Sequence, residues 1–177
     1  MEIRSVTLDD AEQISKIYSY YVSNTAISFE YVPPSAEEIR SRIVKTVEKY
    51  PYVVATQDNA VIGYAYAGPF VGRAAYDRSA ALSIYLSQEA KGKGIGRKLY
   101  EELESKLREM NVTNAYACIA YPIAEDEYLT VNSAEFHHHL GFEKVGEFHK
   151  CAYKFGRWYD MIWMEKIIGK HTPITEE

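Results

Sequence analysis

The sequence predicts one α/β domain built on a mixed sheet. Three observations carry that prediction. Apolar residues recur with strand and helix periods in the order β, α, α, a run of β, then β–α–β–α–β–β. A glycine- and lysine-rich loop, Lys91-Gly92-Lys93-Gly94-Ile95-Gly96-Arg97-Lys98, joins a strand-like segment to an amphipathic one. The 177 residues, 47% apolar and 25% charged, suffice for one buried core. The domain is expected over residues 1–167, with a short polar tail at 168–177.

Residues 2–6 read as a short opening strand. Asp9 or Asp10 can then cap a helix whose apolar stripe is Ile14, Ile17, Tyr18 and Tyr21. Ser23–Pro34, with Asn, Thr, Ser and two prolines, reads as a loop. Ser35 with Glu38 three residues on is a capping-box signature, opening a second helix to about Lys49. After Pro51 the period changes: Tyr52–Thr56, a turn at Asp58-Asn59 and Ala60–Ala67 form a hairpin pattern. Ser79–Ser87 is another strand, followed by the glycine loop and a helix with Ile95, Leu99, Leu103, Leu107 and Met110 on one stripe. Val112–Tyr121 is a strand, Ser133–Leu140 a short helix, and Phe142–Tyr153 with Trp158–Lys166 a closing strand pair.

Composition narrows the function. A net charge of −5 disfavours a general nucleic-acid binder, which shows a basic excess. No apolar run approaches the roughly 20 residues of a membrane helix, and MEIRSVTLDD lacks the apolar stretch of a secretory signal. Cys118 and Cys151 lie too far apart for a CxxC redox or zinc motif, so a reducing cytoplasm is the expected location.

The glycine loop carries the sharpest chemistry. Glycines let backbone N–H groups converge on an anion, and the helix N-terminus adds unpaired donors and a positive dipole end. Four of the chain's 20 basic residues fall within these eight positions of an acidic protein. A polyphosphate ligand explains that concentration; a solvated basic turn is the alternative. The P-loop pattern GxxxxGK[ST] is missing, and the glycines fall as GxGxG, not as the dinucleotide GxGxxG.

With Lys91 at its leading position, the loop resembles the [Q/R]xxGxG pyrophosphate loop of the GNAT superfamily of N-acetyltransferases. The resemblance runs over roughly residues 2–167. Tyr66-Ala67-Gly68-Pro69-Phe70, Arg73 and Ala75-Tyr76-Asp77 are similar to the segment before the central strand in phosphinothricin and methionine sulfone or sulfoximine N-acetyltransferases. Ser133-x-x-Phe136-His137-x-x-Leu140-Gly141-Phe142 resembles their short helix beside the CoA site, and Tyr153-Lys154-x-Gly156-x-Trp158-x-Asp160 their C-terminal hairpin.

The resemblance implies a mostly antiparallel sheet of about seven strands with a splayed central pair, about four helices, and a homodimer formed through the C-terminal strands. It implies acetyl-CoA as acetyl donor and a primary amine of a small amino-acid-like molecule as acceptor, attacking directly in a ternary complex. The pantetheine arm is then expected along Ile84-Tyr85-Leu86, with a backbone N–H near Leu86 polarising the thioester carbonyl. The pyrophosphate is expected on Lys91, Gly92, Lys93, Gly94, Ile95, Gly96 and Arg97. His137 stands where it could protonate the departing thiolate, or pack as a buried histidine. Asn132 is placed to bond the pantetheine or cap its helix, although strict counting from Gly141 puts the family's Asn position on Thr130. Arg73 and Tyr76 are the acceptor-site candidates, Arg73 suited to a substrate carboxylate, with Phe29 and Glu30 as pocket wall.

Two departures stand out. Phosphinothricin-type enzymes place a glutamate, the base for the amine, where this chain has Ala81. Glu30 or the Glu125-Asp126-Glu127 run could relay the proton instead, or the acceptor could arrive neutral. The alternative function is a non-catalytic acyl-CoA-binding or sensor protein. The second departure is the insertion Ile123–Leu129, which reads as an acidic lid near the acceptor mouth or as a solvated loop. No metal is expected: His137-His138-His139 points its side chains about 100° apart around a helix, so the triplet does not converge.

Overall fold

The alternating segments join into one seven-stranded sheet in the computed structural model, which describes residues 1–173. The strands are β1 (Glu2–Ser5), β2 (Tyr52–Gln57), β3 (Ala60–Pro69), β4 (Ser79–Leu86), β5 (Asn114–Tyr121), β6 (Glu143–Lys154) and β7 (Arg157–Ile167), ordered β1-β2-β3-β4-β5-β7-β6. The helices are α1 (Ala11–Asn24), α2 (Ala36–Val47), α3 (Ile95–Glu109) and α4 (Asn132–His139). Every neighbouring pair is antiparallel except β4 and β5. That parallel pair is joined only at Ser79↔Asn114, Ala80↔Ala115 and Ala81↔Tyr116, after which the strands part. The expected mixed, mostly antiparallel sheet with a splayed centre is therefore present.

Strand alternation divides the core between two faces. On one, Leu99, Leu103 and Leu107 of α3 pack on Ala65, Leu82, Ala117 and Ile162. On the other, Ile14, Tyr18 and Tyr21 of α1 and Ile39 and Ile43 of α2 cover Tyr52, Val54 and Tyr64. Most of the 16 tyrosines are drawn into the sheet or its covering helices, where a ring is buried against apolar neighbours.

Several expectations shift in detail. Asp10 occupies the position before α1 but its side chain does not cap that helix. Its carboxylate instead turns back to the Thr7 N–H at 2.7 Å and to the Arg4 guanidinium at 2.7 and 2.8 Å, which together hold it below the usual carboxylate range despite burial. Ser35 does cap α2, accepting from the Glu38 N–H at 3.1 Å, while the Glu38 side chain goes to Arg42. Ser23 and Asn24 continue α1 where a loop was expected. Met110 falls just past α3 and is exposed, because the chain turns there at Asn111 with φ 60°. The polar tail begins later than expected: Ile168 is buried in the main core, its N–H donating to Thr113 O and its carbonyl accepting from Arg108. Residues 174–177 of that tail lie outside the described residues.

Candidate active site

The glycine loop leads into α3 through two left-handed glycines, Gly92 at φ 72° and Gly94 at φ 73°. A Cβ at either would meet nothing within 4 Å, so the space above the loop is open. The first bond of α3 is Lys98 N–H to Gly94 O, which leaves the N–H groups of Ile95, Gly96 and Arg97 without helical acceptors. Gly96 has a different reason to be glycine: a Cβ there would lie 2.9 Å from the Phe136 ring, so the start of α3 can approach α4 closely. Lys91 lies 5.1 Å over the Tyr21 ring and donates to Gln88, and partial burial lowers its pKa. Arg97 reaches the His139 carbonyl, and Lys93 has no ion-pair partner among the described residues.

This loop borders a cleft of about 620 Å³. Ile84 and Leu86 of β4, Tyr21 of α1, Thr130 and Asn132 before and within α4, and Tyr128 and Leu129 of the inserted segment form its other walls. Both registers of the expected asparagine position thus face the cleft. Asn132 opens α4 and does not cap it, the cap position being Val131. At its deep end the cleft meets the gap between β4 and β5, lined by Ser83, Ile84 and Tyr85, by Ala117 to Ala120, and by Tyr100, Ser133 and His137.

Strand alternation fixes which groups face the gap. Ser87 N–H donates to Ile62 on β3, so the N–H groups of Leu86 and Ile84 point to the opposite, unpaired edge. The Tyr21 hydroxyl donates to Leu86 O at 2.6 Å and receives the Leu86 N–H at 3.4 Å. The Leu86 N–H is therefore partly committed within the chain, and Ile84 offers the freer donor. His137, 4% exposed, has both ring nitrogens occupied: Nδ1 lies 2.7 Å from the Ser133 carbonyl and Nε2 2.9 Å from the Tyr100 hydroxyl. A carbonyl can only accept, so Nδ1 carries the proton and Nε2 accepts from Tyr100. Burial lowers the His137 pKa to about 4, outweighing the Ser133 hydrogen bond, and raises that of Tyr100. Both are neutral at pH 7.

Residues 3–163 match the family model of the acetyltransferase (GNAT) domain. The chain belongs to the GNAT acetyltransferase family. A phosphinothricin N-acetyltransferase of Streptomyces coelicolor is 31% identical over 170 residues, covering 94% of this chain and 95% of its own. An L-methionine sulfoximine/L-methionine sulfone acetyltransferase of Salmonella typhimurium is 27% identical over 172 residues, 97% of this chain and 96% of its own. The crystal structure of a GNAT superfamily phosphinothricin acetyltransferase from Sinorhizobium meliloti, in complex with acetyl-CoA, superposes with a TM-score of 0.89 at 36% identity, covering 99% of this chain and 93% of that one. The chain is an N-acetyltransferase.

The acceptor side of this GNAT domain differs from the sequence-based picture in its charges. Ala81 is the last β4 residue paired with β5, standing opposite Gly68 of β3 and Tyr116 of β5. Neither suggested substitute carboxylate is free. Glu30 takes two bonds from Arg42, at 2.7 and 3.1 Å, and one from the Tyr18 hydroxyl at 2.8 Å, which keep it ionised and below its ordinary value. Arg157 grips Glu127 at 2.7 and 2.8 Å and Asp126 at 2.9 Å, so the inserted segment is tied to β7 and one of its three negative charges is balanced. Glu125 accepts from Val131 N–H at the start of α4. The inserted segment, read from sequence as an acidic lid or a solvated loop, is clamped to β7 and forms one wall of the cleft.

Phe29 leans on Tyr159 at 6.4 Å between ring centres and packs with Ala26, Ala120 and Leu129. Its loop is held from the far end of the chain: Lys154, 3% exposed, donates to the carbonyls of Val22, Thr25 and Ser28 at 2.8, 2.9 and 2.6 Å. Arg73 and Tyr76 are exposed in the β3–β4 connection, where Tyr76 meets the edge of Phe70. Neither lines the cleft or the gap. A group of Glu147, His149 and Asp160 gathers on β6 and β7, but Lys144 and the Lys150 N–H already serve its carboxylates. Tyr21 and Tyr100 escaped the sequence reading because each sits on an apolar helical stripe, where a tyrosine reads as core.

Proposed function

We propose that this GNAT enzyme transfers the acetyl group of acetyl-CoA to the primary amine of a small amino-acid-like molecule, of the phosphinothricin or methionine sulfone and sulfoximine kind, by direct attack in a ternary complex. The observation that carries the reading is the continuity of the open glycine loop, the cleft and the β4–β5 gap into one path. The residues fit acetyl-CoA: unpaired N–H groups of Ile95 to Arg97 and the open left-handed glycines suit a pyrophosphate, and the unpaired β4 edge suits an extended amide-bearing arm. When bound, acetyl-CoA supplies an activated acyl carbon. The chain orients it and polarises its carbonyl through the backbone N–H of Ile84, with Leu86 beside it.

His137 accepts a hydrogen bond from Tyr100 Oη–H and holds that hydroxyl at the gap; as the C–N bond forms and the C–S bond breaks, the proton lost by the amine goes to the departing thiolate. Proton removal from the amine has no dedicated carboxylate at Ala81, so the acceptor reacts in its neutral form. Exposed apolar residues on the edge strand β6, Val145 and Phe148, and on its neighbour β7, Trp158, support a homodimer through β6 and β7. Among the described residues no helix is long and apolar enough to cross a membrane, and we place the enzyme in the cytoplasm.

Calorimetric titration with acetyl-CoA, ATP and NADH tests the donor site. Acetyl-CoA alone is expected to bind, and thiol release is expected on adding methionine sulfone or phosphinothricin. Failure to bind acetyl-CoA refutes the reading.

A further inference from the structure

Between α2 and the sheet lies a second chamber of about 210 Å³, which shares no wall residue with the cleft or the gap. The rings of Tyr18 and Tyr64 pack against Tyr85 at 4.9 and 5.5 Å between centres and part it from the gap. We propose that the chamber is an effector site for a small carboxylic acid, and that filling it is felt at the acceptor side through the loop carrying Phe29. The binding rests on the chamber alone; its effect on turnover rests on the acetyltransferase reading above.

The chamber is lined with donors that lack acceptors. Tyr52 of β2 and Tyr64 of β3 are 6% and 2% exposed, yet neither hydroxyl has a partner among the described residues, and no side-chain oxygen is both fully sealed and unpartnered. Both hydroxyls therefore open into the chamber that their rings line. Half-buried Tyr66 adds a third such hydroxyl, its ring stacked on Tyr52 at 5.0 Å. Burial raises the pKa of Tyr52 and Tyr64 well above the ordinary value, so both stay protonated. Lys45 of α2, exposed at the rim, has no ion-pair partner among the described residues, while Arg42 beside it is held by Glu30 and Glu38. Buried polar groups are ordinarily satisfied; three phenol donors and one free positive charge around a single space call for an anion with accepting oxygens. The volume is many times the ~15 Å³ that one water requires, and Ile39 with the tyrosine ring faces supplies apolar wall. A carboxylate on a small apolar body fills such a space; a bare inorganic ion does not.

Two chamber residues reach the acceptor loop. The Tyr18 hydroxyl donates to Glu30 at 2.8 Å and shares a hydrogen bond with the Ser28 hydroxyl at 2.8 Å, and Arg42 donates to Glu30 at 2.7 and 3.1 Å. Ser28 and Glu30 flank Phe29, which packs with Ala120 of the gap and Leu129 of the cleft. A carboxylate in the chamber competes with Glu30 for these same donors. Part of the grip on the Phe29 loop is then released, while Lys154 keeps its hold on the Ser28 carbonyl, so the loop shifts without unfolding. The glycine loop takes no part in this network. Occupancy therefore raises KM for the amine and leaves the affinity for acetyl-CoA as it was.

The probe is benzoate, with benzyl alcohol as its uncharged counterpart and inorganic phosphate as the bare oxyanion. In protein carrying ¹³C at tyrosine Cζ, benzoate should move the resonances of Tyr52, Tyr64 and Tyr66, assigned by Tyr→Phe variants that remove no internal hydrogen bond, and benzyl alcohol should not. Lys45→Met alters an exposed side chain, so it should fold, and it should weaken benzoate about tenfold. Unmoved resonances mean that the chamber holds water alone and overturn the proposal, as do equal responses to benzyl alcohol; a response to phosphate with none to benzoate overturns the carboxylate. In steady-state assays benzoate should raise KM for the amine at least about fivefold with Kd for acetyl-CoA unchanged, and Lys45→Met should blunt that rise. Moved resonances with an unchanged KM overturn the effector role. Absent acetyl-CoA binding instead strikes the acetyltransferase reading itself, whereas the benzoate-induced shifts still decide the chamber.

Discussion

Gly94 offers a perturbation whose components can be separated. Its φ of 73° is left-handed, and a Cβ there meets no atom within 4 Å. Gly94→Ala therefore adds no clash, only the cost of holding an L-residue left-handed, about 1–2 kcal/mol, or a roughly 5–30-fold rise in the acetyl-CoA Kd. Gly94→Asn keeps the neutral charge and suits the left-handed region better, so it should weaken binding less than Ala. Gly94→Asp has the shape of Asn and adds a negative charge. Against a phosphate about 5 Å away at an effective dielectric near 20, the repulsion is about 3 kcal/mol, so Asp should bind on the order of 10²-fold more weakly than Asn. The assay is calorimetric titration at about 0.15 M and 1 M salt, where the screening length falls from about 8 to about 3 Å. The excess penalty of Asp over Asn should shrink at high salt, and the penalty of Ala should not. Equal affinities for Asp and Asn, or a difference indifferent to salt, would show that no anion sits over the loop.

Three further outcomes follow from the geometry. His137 protonates near 6.5 when unfolded but at about 4 in the fold, so the protein has its full stability above pH 6.5 and loses up to about 3 kcal/mol as pH falls towards 4; urea unfolding at pH 7.5 and 4.5 should show this loss, and His137→Gln should remove that component of it. With Ala81 in place of a base, kcat/KM should rise tenfold per pH unit below the acceptor amine's pKa, and Ala81→Glu, facing the open side of Gly68, should raise the rate at neutral pH by up to about 10²; no gain with a turned-over acceptor would show that another group already takes the proton. Lys154→Met strips the shared donor from three carbonyls and should lower stability by about 3 kcal/mol, with KM for the amine affected more than Kd for acetyl-CoA; an unchanged unfolding midpoint would contradict the anchoring role.

The fold was legible because period and punctuation agree along most of the chain. The capping residue Ser35 and the α3 stripe place their helices directly, and the glycine loop announces both a helix start and an anion. What the sequence hid is mostly pairing across distance. Arg157 and the acids of the inserted segment are some 30 residues apart, so their ion pairs do not show in either sequence reading of that segment, lid or solvated loop. Glu30 looked available as a base because its partner Arg42 sits outside its loop, on α2. Tyrosines are the hardest case, since Tyr21, Tyr64 and Tyr100 follow the same apolar periods as leucine and isoleucine would, and only the packed structure shows where a hydroxyl ends.

The Lys154 anchor also bears on how the protein is made. Lys154 follows the carbonyls of Val22, Thr25 and Ser28 that it holds by 132, 129 and 126 residues, so they leave the ribosome long before it. The last strand, β7, slots between β5 and β6, so β5 too waits for the C-terminal hairpin to complete its ladder. Such long-range closures form late because the loop entropy must be met first. A nascent or truncated chain carrying the whole glycine loop but ending before Lys154 has no holder for the Phe29 loop. Interrupted translation before β7 thus leaves fragments that carry the glycine loop but lack both the holder of the Phe29 loop and the β5–β7 ladder.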